Sequence, residues 1–196
     1  MVATPSTMVQ LGTKARPFSL PDPQTGKVFE FIPSSKQQGS LIVFICNHCP
    51  YVLHLLPVLV DLCNQWQERG LKVIFISSND VENYPADSPN LMAKLAQQYG
   101  FAFPYLYDED QTVAFAYRAA CTPDFFLYNS ENSLYYRGQF DASRPGNEQA
   151  VNGNELAGAV ARLFAKLPAP ETQHPSLGCN LKWKKGNEPD YFIPRL

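Results

Sequence analysis

At 196 residues, with a formal charge of −2 and a pI near 5.9, the chain is long enough to bury on the order of 70% of its unfolded surface without covalent staples. Acidic and basic residues are interspersed, which gives no electrostatic footing for nucleic acid or an anionic membrane. Residues 1–12 lack the basic start and apolar stretch of a signal peptide, no later run approaches a membrane span, and five cysteines are too few for a disulfide framework, so the expectation is a cytoplasmic enzyme of one domain.

Phe18-Ser19-Leu20 and residues 28–32 are strand candidates joined by the turn-rich Asp22-Pro23-Gln24-Thr25-Gly26, which predicts an N-terminal hairpin. Residues 41–45 form a continuous apolar, β-branched run, the pattern of a strand covered on both faces. Cys46-Asn47-His48-Cys49-Pro50 follows directly. Over residues 51–69, Val52, Leu55, Leu56, Leu59, Leu62, Cys63 and Trp66 keep helical spacing, with Pro57 as a kink and Gly70 as the stop. Residues 71–77 predict the next buried strand, followed by a polar loop through Asn79, Pro85 and Asp87. Ser88 is then the expected cap of a helix over 89–99.

Further on, residues 103–107 read as a strand, and Asp110 as the cap of a short helix reaching Tyr117. Residues 124–128 and 133–140 read as a hairpin around 129–132, and Leu156, Val160, Leu163, Phe164 and Leu167 as a C-terminal helix. This order predicts an α/β sandwich with parallel strands in its first half and an antiparallel hairpin in its second. Residues 1–167 are expected to form the domain. Residues 168–196, with Pro168, Pro170, Pro175, Pro189 and Pro194, are expected to form a tail that wraps it as loop.

The chemistry concentrates at Cys46 and Cys49, two thiols that open a helix just after a strand. A helix N-terminus carries unsatisfied N–H groups and roughly half a positive charge, which can lower a cysteine pKa from about 8.5 into the range ~3.5–7.5. A CxxC in a βαβ context reads as a redox pair, against a buried pair or half of a zinc site whose second half is missing. Cys46 is expected to be the exposed, attacking thiolate and Cys49 the partly covered resolving thiol. His48 either tunes the pair or faces solvent. Cys63 reads as core packing, Cys121 as a small buried residue or a neighbour of the site, and His54 and His174 have no local ligand partner.

The strand, CxxC and kinked helix, together with Thr122-Pro123 ahead of Asp124-Phe125-Phe126-Leu127, resemble the thioredoxin superfamily. The hairpin at the start, the tract Tyr136-Arg137-Gly138-Gln139-Phe140-Asp141 and the strings over residues 44–52 and 175–183 resemble its peroxiredoxin-like, AhpC/TSA-related branch of probable thiol-disulfide oxidoreductases. The resemblance spans residues 9–183. It implies a thioredoxin-like α/β sandwich with an N-terminal β-hairpin extension and a wrapping C-terminal tail, and a cis-proline at Pro123 facing the CxxC. It also implies disulfide exchange by Cys46 and Cys49 with Thr122 and Pro123 as platform and His48 as tuner, and no cofactor or metal. The partner would be a protein or small-molecule disulfide or dithiol, with a thioredoxin-type reductant.

Two departures set the alternatives. The Thr or Ser that peroxiredoxins place three residues before the peroxidatic cysteine is here Cys46, and the strand region that gives them an arginine holds Thr122-Pro123, while Arg118 and Arg137 are expected in solvent or at a strand edge. A peroxidase using Cys49 is therefore the alternative. A metal-binding protein using Cys46, Cys49, His48 or Cys121 is a further one. A last expectation is that the tail carries Cys179 to Cys121 to form an auxiliary dithiol.

Overall fold

The computed structural model describes residues 3–192; the first two residues and the last four, Pro194 of the tail among them, lie outside that range. A short strand, β1 (Ala3–Pro5), precedes the hairpin of β2 (Phe18–Asp22) and β3 (Lys27–Phe31), in which Phe18 faces Phe31 and Asp22 faces Lys27. Then come β4 (Gly39–Phe44), α1 (Pro50–Glu68) and β5 (Leu71–Ser77). After a single 3-10 turn at Pro85–Asp87 the chain forms α2 (Pro89–Tyr99), β6 (Tyr105–Tyr107) and α3 (Thr112–Tyr117). It ends with β7 (Cys121–Thr122), β8 (Asp124–Asn129), β9 (Leu134–Tyr136), α4 (Asn154–Phe164) and β10 (Leu177–Asn180).

The central sheet has the order β6-β5-β4-β8-β9, with β4 parallel to β5 and antiparallel to β8. Its strands carry apolar side chains on both faces because both are covered. Leu41 and Val43, with Val73, Phe75, Phe125 and Leu127, enter the core beneath α1, α2 and α4. Ile42 and Phe44, with Ile74, Ile76 and Phe126, enter a second core with Phe31, α3 and Trp183. This is the period-two alternation of a strand written entirely in apolar residues. α1 buries Val52, Leu55, Leu56, Leu59, Cys63 and Trp66 on one side, carries Pro57 within it, and is followed by Gly70 at φ +92°. Thioredoxin-like architecture is the result. Among the described residues no helix is long and apolar enough to cross a membrane.

Several local expectations change. The tail is more than loop: β10 lies between β1 and β7 in a separate three-stranded sheet, and Leu181 and Trp183 beyond it are buried. The Ser88 side chain does not cap α2; its carbonyl accepts from the Leu91 and Met92 N–H groups instead. Asp110 accepts from Thr112 N–H, but the next donors of α3, Val113 and Ala114, bond to the buried carboxylate of Asp108 at 3.2 and 2.9 Å. The second strand of the late hairpin leaves the ladder after Tyr136, and α4 ends at Phe164 with Leu167 half exposed.

Gly178 is where the tail strand approaches most closely. A Cβ built there would lie 2.0 Å from the Thr122 carbonyl oxygen, a backbone atom that cannot rotate away. Gly178→Ala is therefore expected to cost about 2–3 kcal/mol and to lower the thermal midpoint by roughly 4–12 °C. A midpoint equal to that of the parent protein would contradict this packing of β10 on β7.

Candidate active site

β4 ends at Phe44, the Ile45 N–H still bonds to Ile76 O at 2.9 Å, and the chain then turns through Cys46-Asn47-His48 into α1 with Cys49 at the N-cap. The loop is tied down from below. Asp87, fully buried, accepts from Asn47 N–H and from Asn79 Nδ2, each at 2.8 Å, and Asn47 also bonds Ala86 O and the Tyr105 hydroxyl. Asn79 Oδ1 in turn accepts the Lys182 N–H at 2.9 Å, which links the site to the tail. His48 stacks on Tyr84 with 5.7 Å between ring centroids, and its Nδ1 lies 2.8 Å from Asp87 Oδ2 without the alignment of a hydrogen bond. It is held against Asp87 and Tyr84 rather than free in solvent, with a ring nitrogen within 4.8 Å of Cys46 Sγ.

The Thr122–Pro123 peptide is cis, as the resemblance implies. Thr122 faces both cysteines: its Oγ1 is 3.5 Å from Cys46 Sγ, and its carbonyl oxygen 3.2 Å from Cys49 Sγ. Behind Cys49 stands a third sulfur, Cys179 Sγ, at 2.9 Å. The five sequence-derived residues thus come together around one point. The expected exposure of Cys46 is not found, because Thr122 lies against it and the tail strand closes the site; Cys46 is 1% and Cys49 0% exposed.

The three clustered thiols also shift one another's ionisation. Side-chain hydrogen bonds with Cys179 and Cys46 lower the Cys49 pKa against the opposing effect of burial. Donating to Cys49 raises Cys46, helped by burial and by the Asp87 charge, and the same contact with Cys49 raises Cys179. The reduced centre therefore favours Cys49 over Cys46 as its anion, opposite to the expectation from position alone.

Arg137 is fully buried rather than at an edge. Its guanidinium grips both Asp124 carboxylate oxygens, donates to Phe125 O at 3.2 Å and covers the Phe126 ring at 3.9 Å. Arg118 lies on the outside against the Tyr191 ring, 3.9 Å from Asp190. Cys63 is core, as expected. Cys121 is buried and its thiol points to Pro123 O, whereas β-sheet pairing sets it opposite Asn180 and sets Cys179 opposite Thr122. Successive residues point to opposite faces, so the expected Cys121–Cys179 pair does not form and Cys179 meets Cys49. His54 bonds Ser143 Oγ, and His174 reaches Glu155.

Among the described residues the three-donor group close enough to share a metal ion is Cys46, His48 and Asp87, all within 4.8 Å of one another. Cys121 is not part of it. Asp87 already accepts two N–H bonds.

Residues 11–137 match the model of the AhpC/TSA family. The chain belongs to this family. No curated protein matches it. Among solved structures the AhpC/TSA chain is similar to an uncharacterized conserved protein from Geobacillus kaustophilus at 46% identity, with 94% of this chain and 97% of that one covered and a TM-score of 0.90. A hypothetical protein from Sinorhizobium meliloti is similar at 42% identity, covering 93% and 100%, with a TM-score of 0.90. A secreted disulfide oxidoreductase from Mycobacterium tuberculosis, at 18% identity over 74% and 94% and a TM-score of 0.56, shares the fold alone. Family and fold make this AhpC/TSA protein a thiol redox enzyme, oxidoreductase or peroxidase.

Sequence reasoning missed three members of the site. Asp87 looked like an ordinary loop acid, with no spacing that ties it to the CxxC. Asp124 carried a usable signal, since an acid opening the apolar run Phe125-Phe126-Leu127 calls for a buried counter-charge, and Arg137 supplies it. Cys179 stood in a string already singled out, but its partner depends on a strand pairing that no local pattern marks.

Proposed function

We propose that the chain is a thiol-disulfide oxidoreductase working through Cys46 and Cys49, in the direction that oxidises a dithiol partner. The observation that carries this reading is the placement of both sulfurs against Thr122 beside the cis peptide bond, while Arg137, a spatial substitute for the missing peroxidase arginine, is committed to Asp124. Cys49 is enclosed by Cys46, Cys179 and the Thr122 carbonyl, so the partner's thiolate attacks Cys46 Sγ of the oxidised pair. The Cys46–Cys49 bond breaks and its electron pair leaves on Cys49, the sulfur whose pKa is lowered. A low-pKa thiol leaves faster, and a stabilised reduced form makes a stronger oxidant. The second partner thiol then releases Cys46 and completes the partner's disulfide. Run in reverse, with a thioredoxin-type reductant, the same pair reduces disulfides. A cytoplasmic location fits the reverse, reducing direction, for which thioredoxin-type reductants keep the pair reduced, and this reading treats the tail from residue 168 as part of the one redox unit.

The second reading, a peroxidase, has one observation in its favour: Cys49 is the acidified thiol and sits at the helix start. The test is to mix oxidised protein with a reduced dithiol peptide, and reduced protein with hydrogen peroxide, in separate stopped-flow series. The expected result is rapid, stoichiometric peptide disulfide from the wild type, loss of that rapid phase in Cys46→Ser, and slow peroxide reduction. Rapid, saturable peroxide consumption that persists in Cys46→Ser would make Cys49 peroxidatic and overturn the proposal.

A further inference from the structure

Resting on that exchange reading, we infer that Cys179 is a third redox cysteine, which takes the disulfide from Cys46–Cys49 to Cys49–Cys179. Its sulfur is 2.9 Å from Cys49 Sγ, nearer than two non-bonded sulfurs ordinarily come, and a disulfide needs a separation of about 2.05 Å. The backbone is set for this approach. β10 is fixed on both sides, with Cys179 opposite Ala3 of β1 and opposite Thr122 of β7, and Thr122 is the residue whose carbonyl touches Cys49. Gly178 lets the two strands come this close. The other two cysteines do not compete, since Cys63 is packed in the core and Cys121 points to the opposite face of β7.

The step is an internal exchange that needs no added oxidant. Starting from the Cys46–Cys49 disulfide, the Cys179 thiolate attacks Cys49 Sγ, and the Cys49–Cys179 bond forms as the Cys46–Cys49 bond breaks. The electron pair stays on Cys46, which takes up the proton that Cys179 released. The protein's oxidation level is unchanged. What changes is location, because the oxidising equivalent moves onto β10 and Cys46 returns to the thiol form. The step is also timed by the chemistry. In the reduced centre the hydrogen bond with Cys49 is the first cause that raises the Cys179 pKa, with burial second. Once Cys49 is in a disulfide that cause is gone, while Lys182 still favours the Cys179 thiolate.

Disulfide mapping by mass spectrometry, after equilibration in oxidised glutathione and acid quench, tests this on the full chain. Wild type is expected to give both Cys46–Cys49 and Cys49–Cys179 linked peptides, Cys46→Ser only the second, and Cys179→Ser only the first. Cys46→Ser protein that carries Cys49 as a glutathione adduct or a thiol, with no Cys49–Cys179 peptide in wild type either, would overturn the assignment. Failure of the exchange reading shows separately, as absence of the Cys46–Cys49 link from Cys179→Ser. If Cys46→Ser does not fold, the wild-type map alone decides.

Discussion

Replacing Cys49 by serine is expected to slow disulfide exchange by at least about a thousandfold, the scale of losing a nucleophile that works as part of a unit. It also removes the thiolate that the reduced wild type holds below the ordinary cysteine pKa of about 8.5. Thiolate absorbance near 240 nm, followed downward in pH on reduced protein, should persist below that value in the wild type and in Cys63→Ala, and disappear in Cys49→Ser. The sign follows from linkage. The folded pKa of Cys49 lies below its unfolded value, so its contribution to the stability of the reduced protein is full above about pH 8.5 and is lost as pH falls through the folded value. Wild-type absorbance that vanishes entirely around pH 8.5 would mean that the neighbouring thiols do not stabilise a Cys49 anion.

The largest expected loss of stability comes from Arg137→Met. Asp124 would remain a fully buried carboxylate without its counter-charge, and breaking such a pair from one side costs about 3–5 kcal/mol. In a chain of this size that lowers the thermal midpoint by roughly 6–20 °C. The double variant Arg137→Met/Asp124→Asn should recover much of the loss, because it removes the stranded charge while an amide oxygen still accepts the Ala120 N–H that Asp124 now holds. A single variant within 1 °C of wild type, or a double variant no better than the single, would show that the pair contributes nothing net.

These two sites also mark how far the sequence could be read. β4, β5, α1 and α2 were legible because each is long enough for period or apolar density to show, and β5 and α2 fall on the predicted residues. The CxxC, the helix it opens and the cis-proline were legible for the same reason, being local or tied to the family pattern. β1, β7 and β10 were not, since strands of two to four residues carry no period and owe their existence to partners far away in the chain. The error over Cys46 has that origin. Helix position alone makes the first cysteine the exposed one, but Thr122 and the tail strand cover the site, and contacts with two neighbouring thiols lower the Cys49 pKa while Cys46 is raised. Arg137 was misplaced because its partner lies across a hairpin, and solvent is the default for an arginine whose partner is unseen.

The wall behind Cys49 belongs to a strand encoded 130 residues later. At a synthesis rate of about 5–20 residues per second, roughly 6–26 s separate the emergence of the two cysteines from the ribosome. Throughout that interval the nascent chain holds Cys46 and Cys49 without the strand that later closes over them, in reach of any passing oxidant or neighbouring thiol. A chain halted before Leu177 would keep the pair but lack its cover. The last strand to be made is thus the one that shelters the first reactive sulfurs to appear.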